Sequence, residues 1–524
     1  MPESVNPGFI DECEREVLHR IGAIQPIGTL LGGRTGDPLL RFASANLAAW
    51  SGLEASAVLG QPISALVPWL NSEQVDEIAA FITSNDDEPA AARKTVLLPS
   101  LCSGPHGELD AVLSRGIHDW LLELQPALSA KQRQDAYRPI PHALFRVPRS
   151  QHDWDQLCRR LTASIRDASG FERVMVYQFR PDGCGEVIAE SRADDLPPYL
   201  GLRYPASDIP QTARTLYMAN RHRQIPDVRA EPVPVLSKDG SSADLTLSDL
   251  RAVSPVHVEY LRNMGVVASL SFPVSMGEEL WGLIACHHRQ MHSLPFPIRE
   301  RCAEMASAFR LGIAGFHAQN RLAALSGSDR DTSRLIEGIA GLQSGALPVF
   351  PLQKSLLRLV GATGAALTEN DPDGGGLDEI LTFGKTPGPA QIRRQLEWLR
   401  SSTMEQVFAT DELPALLPDS RGYAALASGL LAVRTSAFDQ GTHRERIFLW
   451  WRPEQQRAVH WAGDPRKSAM FADQSSRLSP RSSFEAWVEI SRGRSEPWTD
   501  MDLLNAKKFR SLVLRNVNAA LFQD

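Results

Sequence analysis

Apolar positions along this chain follow two periods. Thr29–Leu31 and Leu39–Phe42 are short apolar runs around the glycine-rich stretch GGRTGD, which predicts two strands and a turn, with a short helix over Ser44–Ser51. Farther on, Arg173–Phe179, Glu186–Ser191, Ala268–Val274 and Leu280–His287 predict strands, the last two joined as a hairpin through Met276–Glu279. The period then changes. Ile298, Cys302, Met305, Phe309, Ile313 and Phe316 recur at steps of three and four, which predicts a long helix whose stripe packs on a sheet or on its copy in a second subunit. Arg446–Trp451 and Ala458–Trp461 are aromatic-rich strand candidates around Pro453. A final helix starts near Thr499, with Thr499 as cap, Asp502 at the capping-box position and Trp498 stapling onto Leu503.

Four polar or proline-rich breaks divide these elements: Ser84–Pro89, Tyr137–Arg149, Glu231–Ser248 and Asp371–Gly376. No fixed-period repeat is visible, which sets aside solenoids and propellers. The pattern describes an α+β or α/β multidomain chain: three modules with antiparallel central sheets, joined by long helices. Its 524 residues suit three or four domains. With 43% hydrophobic and 22% charged residues the chain can bury several cores, so bulk disorder is excluded. A net charge of −7 argues against a broad nucleic-acid footprint. No apolar run is long enough to span a membrane, and acidic Met1–Glu16 does not resemble a signal peptide. Cysteines 13, 102, 158, 184, 286 and 302 are scattered without CxxC pairs, so reduced thiols in a cytoplasmic protein are expected.

Searches for familiar chemistry return little. GxSxG, GxxxxGK[ST] and HExxH are all missing. His287 and His288 are adjacent, so on a strand they face opposite ways and do not chelate one metal. An enzyme is not expected, and no metal site is assigned.

Three local features stand out. Cys13 lies in Glu12-Cys13-Glu14-Arg15-Glu16, just before Ile24-Gln25-Pro26. The second is Tyr204-Pro205-Ala206-Ser207-Asp208-Ile209-Pro210. The third is Ser254-Pro255-Val256-His257-Val258-Glu259-Tyr260-Leu261-Arg262-Asn263-Met264-Gly265. Trp281–His288 and Pro480-Arg481-Ser482-Ser483-Phe484 follow them. In this order the motifs resemble a bacteriophytochrome photosensory core over essentially the whole chain. The resemblance implies a PAS domain with an N-terminal chromophore-linking segment over 1–130. A chromophore-binding GAF domain follows over 131–325. A GAF-like PHY domain covers 326–524, with a hairpin tongue at about 438–489 and a C-terminal signalling helix. It also implies a figure-of-eight knot, with Ile24 at the crossing and Glu231–Ser248 in the encircling loop.

The same resemblance implies the cofactor biliverdin IXα, a linear tetrapyrrole, joined to Cys13 by a thioether. Val256 occupies the position that carries the linking cysteine in plant and cyanobacterial relatives, which favours biliverdin over more reduced bilins. Neighbouring Glu12, Glu14 and Glu16 disfavour the Cys13 thiolate, so attachment would be driven by proximity. The resemblance places Asp208, Ile209 and Pro210 at the tetrapyrrole nitrogens, and His257 near the pyrrole water and a propionate. It places His287 near the D-ring carbonyl. Arg223, Arg251, Tyr217, Ser254, Ser269 and Ser271 are candidates for the two propionates. Tyr177, Tyr204 and Tyr260 would wall the D-ring, with Met175 a weaker candidate. Taken singly, each arginine would be read as a solvated charge and each histidine as an ordinary core or surface residue. One departure from the family pattern is Ile27, which replaces a histidine in Pro26-Ile27-Gly28.

For signalling, the resemblance implies that Arg481 pairs with Asp208 in the dark-type state and that Ser483 replaces it after photoconversion. Trp461 lies in the same hairpin. A parallel homodimer is expected, with output through an appended domain or a separate response regulator or kinase. The chain ends where such an output domain would begin. The competing reading is a GAF-type small-molecule sensor without photochemistry.

Overall fold

The strand Asp119–Pro126 is buried along nearly its full length on both faces. Its even positions, Trp120, Leu122 and Leu124, join a core with Leu47, Trp50, Ile78 and Ile82 of neighbouring helices. Its odd position Leu121 packs with Ile24, Leu245 and Leu250 instead. This two-residue alternation is the pleat at work. The computed structural model describes residues 17–67, 69–84, 94–343, 349–370, 379–403, 405–439, 442–463, 470–471, 478–479, 484 and 486–520. They form two compact units. One is built from the described residues between Pro2 and Phe316 and between His460 and Trp487; the other from those of His317–Val459 and Val488–Asp524.

Among the described residues the first unit holds two large, mainly antiparallel sheets and a two-stranded pair, Met470–Phe471 with Leu478–Ser479. One runs in the order Ala23–Ile24, Val233–Ser237, Phe42–Ser44, Thr29–Arg34, Asp119–Pro126, Gly107–Arg115, Lys94–Gly104. Two expectations change here. Glu231–Ser248 is more than a polar loop: Val233–Ser237 forms a strand that pairs with Ile24 on one side and Ser44 on the other. Ile24 also bridges Arg251, so it lies between the two limbs of that segment. In GGRTGD, Gly32 and Gly33 belong to the strand Thr29–Arg34 and not to a turn. A Cβ on Gly33 would collide with the Leu39 carbonyl and the Trp120 indole, so close packing and not backbone freedom explains this glycine. Ile27, where the family pattern has histidine, is half-buried and packs against Ile24, Leu30 and their neighbours.

The other sheet runs Arg223–Ile225, Ala268–Met276, Glu279–His288, Arg173–Phe179, Gly185–Arg192, Arg203–Tyr204. Trp461 adds to its edge in parallel at Arg203. One face carries Val174, Val176, Leu270, Phe272, Ile284 and Cys286, which pack under the helices Gln151–Ser169 and Phe296–Gln343. The predicted stripe Ile298, Cys302, Met305, Phe309 and Ile313 is consumed in this core, and Phe316 stacks on Trp154 at 5.5 Å. Of the two partners the stripe could have had, the sheet of its own chain took it.

In the second unit the sheet order is Glu379–Gly384, Gly364–Asn370, Thr442–Arg452, Gly429–Asp439, Val407–Thr410. Trp450 and Trp451 are neighbours and serve opposite faces. Trp450 donates to the Leu356 carbonyl at 2.9 Å and Trp451 to Gln395 Oε1 at 2.8 Å. The predicted hairpin tongue began too early: Phe438 lies in Gly429–Asp439, paired with His443 in this sheet. Before the helix Asp500–Ala520, Thr499 and Asp502 exchange both capping-box bonds, at 2.8 and 3.2 Å. Trp498 and Leu503 pack on the same core. Among the described residues, no helix is long and apolar enough to cross a membrane, and no cluster of side chains could hold a metal ion.

Candidate functional site

The face of the Arg223–Tyr204 sheet opposite its helices lines a cleft enclosing about 1720 Å³, its open mouth included. Strand alternation builds the floor. Val174 and Val176 go to the core while Met175 and Tyr177 line the cleft. In the same way Ser269, Ser271, Leu283, Ala285 and His287 line it. His288 points the other way, stacking on His292 at 4.9 Å, as two adjacent strand histidines must. Gly185, across the strand pair, leaves room for the Tyr177 ring, which a Cβ there would strike.

Two helices form the walls. Gln211–Ala219 brings Tyr217, and the turn before it brings Asp208, Ile209 and Pro210. Pro255–Asn263 starts with proline in its first turn and brings His257 and Tyr260, which stack at 5.9 Å. Tyr260 donates its hydroxyl proton to Asp208 Oδ2 at 2.9 Å, tying the two motifs together. Tyr177 and Tyr204 meet at 5.7 Å. Ser254, Arg223 and Arg251 complete the set, so every predicted cofactor-binding residue except Cys13 lines this one cleft. Cys13, Arg481 and Ser483 lie outside the described residues. Trp461 does not line the cleft; it is buried beside Arg203, whose guanidinium sits 5.3 Å from its ring.

Electrostatics differ across the cleft. Arg223 donates to the carbonyls of Arg251 and Ala252 at 2.6 and 3.0 Å. Burial, and then the charge of Arg223, lowers Arg251 to about 9. Burial holds His257 down at about 4, with Arg223 adding to the shift. His287 falls to about 3, from burial first and then Arg173 and His257. Both imidazoles are therefore neutral at pH 7. Three polar atoms of the lining, Arg223 Nη1, His287 Nδ1 and Ser207 Oγ, are buried without a hydrogen-bond partner. Such atoms are costly to leave unpaired, and they fit a ligand that offers an acidic group to Arg223 and polar groups to His287 and Ser207.

Sequence reasoning overlooked several residues here. Leu18, Met264 and Leu283 add apolar lining. Arg214 holds the Asp208 turn: its Nε donates to the Ile209 carbonyl and Nη2 to the Gly183 carbonyl, both at 2.9 Å, while its guanidinium lies 4.2 Å from the Phe179 ring. An arginine in the first turns of a helix opposes the helix dipole, and that misfit was the available signal. Phe484 contacts Tyr260 edge-on at 5.1 Å.

Comparison with known proteins follows this geometry. The PAS fold matches residues 13–127, the GAF domain 153–309 and the phytochrome region 330–520. A bacteriophytochrome of Xanthomonas campestris pv. campestris is 31% identical over 98% of this chain and 80% of its own length. Cyanobacterial phytochrome B of a Nostoc species is 32% identical over 96% of this chain. This chain spans 66% of that relative's length. Among solved structures, a bacteriophytochrome from the photosynthetic bacterium R. palustris superposes with a TM-score of 0.79 at 31% identity, covering 97% of this chain and 99% of the other. The photosensory core module of Stigmatella aurantiaca phytochrome gives 0.76 at 30% identity, covering 98% of each chain. Both likenesses run the length of the chain and include the cleft, and this protein belongs to the phytochrome family.

Proposed function

We propose that this chain is a red/far-red photoreceptor that binds biliverdin IXα in the cleft and links it covalently through Cys13. The carrying observation is the convergence of residues from several separate stretches, between Tyr177 and His287, on one cleft with two arginines in its lining. When bound, the tetrapyrrole supplies light absorption and a double bond that isomerises. The protein's own residues do the rest. Arg223 and Arg251 would pair with the two propionates, and Ser254, Ser269 and Ser271 would donate to them; that all five line the cleft supports this. Neutral His257 and His287 each offer one donor and one acceptor. Asp208 supplies the acceptors that a positively charged tetrapyrrole needs in a poorly solvated site. Tyr177, Tyr204 and Tyr260 bound it with polarisable rings.

Leu18 already lines the cleft, and Cys13 precedes it by five residues, a reach of up to ~17 Å in extended chain. That supports the thioether. Output through a separate module or partner, a cytoplasmic location and a homodimer belong to the same proposal. Mixing the protein with biliverdin tests it. The expected result is a red or far-red band that interconverts under red light, with a zinc-fluorescent covalent adduct that Cys13→Ser abolishes. A protein that develops no such band would refute the reading.

A further inference from the structure

Glu123 has a side chain with no obvious task. It is fully buried on the strand Asp119–Pro126, at an odd position that faces the 243–250 segment. Its carboxylate accepts from the Ser248 hydroxyl, from the Asp249 amide at 3.0 Å and from the Leu250 amide at 3.0 Å. Among the described residues it has no cation within ion-pairing distance. The neighbouring Asp249 is committed to Arg299 at 2.9 Å and stands 3.4 Å from His222. A buried carboxylate without a cation is expensive; burial and Asp249 push this one up to about 7.

The next residue along the chain is Arg251. Its carbonyl accepts from Arg223 and from Gln25 Nε2, the latter at 3.2 Å. The three bonds to Glu123 thus fix the backbone immediately before the point where the two cleft arginines are joined. Burial is the main cause lowering both guanidiniums, with Arg223 adding to the shift at Arg251; Tyr217 and Glu123 oppose it at both, and Asp249 also at Arg223.

We propose that Glu123 is a positioning residue of the cleft. From behind the Ser248–Leu250 segment it sets where Arg251 and Arg223 present their charge to the carboxylates of an acidic ligand. This rests on the bilin reading above. The consequence is a preference for ligands that carry those carboxylates, held in place from a different sheet.

The test is a reversible titration, at a pH well above 7 where Glu123 carries its charge, in a Cys13→Ser background with two probes: biliverdin, and its dimethyl ester, in which both carboxylates are neutral. The unsubstituted Glu123 protein should prefer the acid. Glu123→Gln keeps the shape but loses an acceptor and the charge, and should shrink the acid-over-ester preference roughly tenfold, the scale of one charge-assisted hydrogen bond. Ser248→Ala removes one of the three donors and should shrink it less; it also serves if Glu123→Gln does not fold. An unchanged preference, with affinity for both probes falling together, would show a merely structural role and overturn the assignment. Uptake of neither probe by the protein with Glu123 intact would overturn the bilin reading itself, and this role with it.

Discussion

At the scale of single residues, the same side-chain type serves different ends according to what surrounds it. Glu123 is pushed up by burial, whereas Glu172 is pulled down to about 2, first by its side-chain bonds with Arg289 and against its own partial burial. Arg289 holds Glu172 Oε1 at 2.8 Å and Asp195 Oδ2 at 2.6 Å. A carboxyl depressed in the folded state contributes stability that is present above its ordinary value near 4.5 and is lost as pH falls toward about 2. Glu172→Gln should therefore lower stability at neutral pH and flatten the stability–pH curve across that acid window, so that variant and parent converge as pH falls to about 2, as read by chemical unfolding at a series of pH values. Sequence alone marked neither glutamate. Their shifts depend on partners 117 residues away for Glu172 and 125 to 127 away for Glu123. Many of the cleft residues were legible because they cluster in short motifs: Asp208-Ile209-Pro210 and Ser254–Gly265 each bring several of them within one turn or helix.

At the scale of elements, strand periodicity was the dependable signal. Arg173–Phe179 forms as predicted, and the other three predicted strands of this sheet extend by one or two residues at their ends. The misjudged elements were those whose partner is remote. Val233–Ser237 is a strand only because Ile24 and Ser44 offer it edges, and the hairpin at Phe438 belongs to a core sheet. The helix Phe296–Gln343 shows a further limit. Its apolar stripe is spent on its own core, yet the linker beside it, held through Arg301 Nε on the Arg138 carbonyl at 3.0 Å, leaves Tyr137, Phe145, Val147 and Leu311 exposed. Leu311, exposed on this helix, is an apolar group that a second copy would cover in the proposed homodimer. Leu311→Glu should lower the mass measured by light scattering from two chains toward one. A dimer unaffected by the charge would place the interface elsewhere.

For the whole molecule, the notable feature is how far apart in sequence the parts of one compact unit lie. Residues of His460–Trp487 belong with those of Pro2–Phe316, through Trp461 at Arg203 and Phe484 at Tyr260. Tyr260 also holds Asp208, so Phe484 is one ring away from the acid proposed to exchange Arg481 for Ser483. A buried ion pair need not add net stability, but it can act as a two-state switch. Arg481→Ala should leave biliverdin uptake intact and impair photoconversion, seen as a reduced difference spectrum after red light. Full photoconversion in that variant would refute the exchange.

Sequence by itself determined most of the strand and helix pattern, the order of the three modules and many of the polar cleft residues. Each of these is written in short-range periodicity or in local motifs, where neighbours in the chain are neighbours in space. Only the tertiary structure decided the rest: that Arg214 clamps the Asp208 turn, that the helix stripe packs inward, that Ile27 joins an apolar cluster, and that Glu123 stands behind the cleft arginines. Those facts depend on contacts between distant segments and on the desolvation they impose, and no local pattern of residue types encodes either.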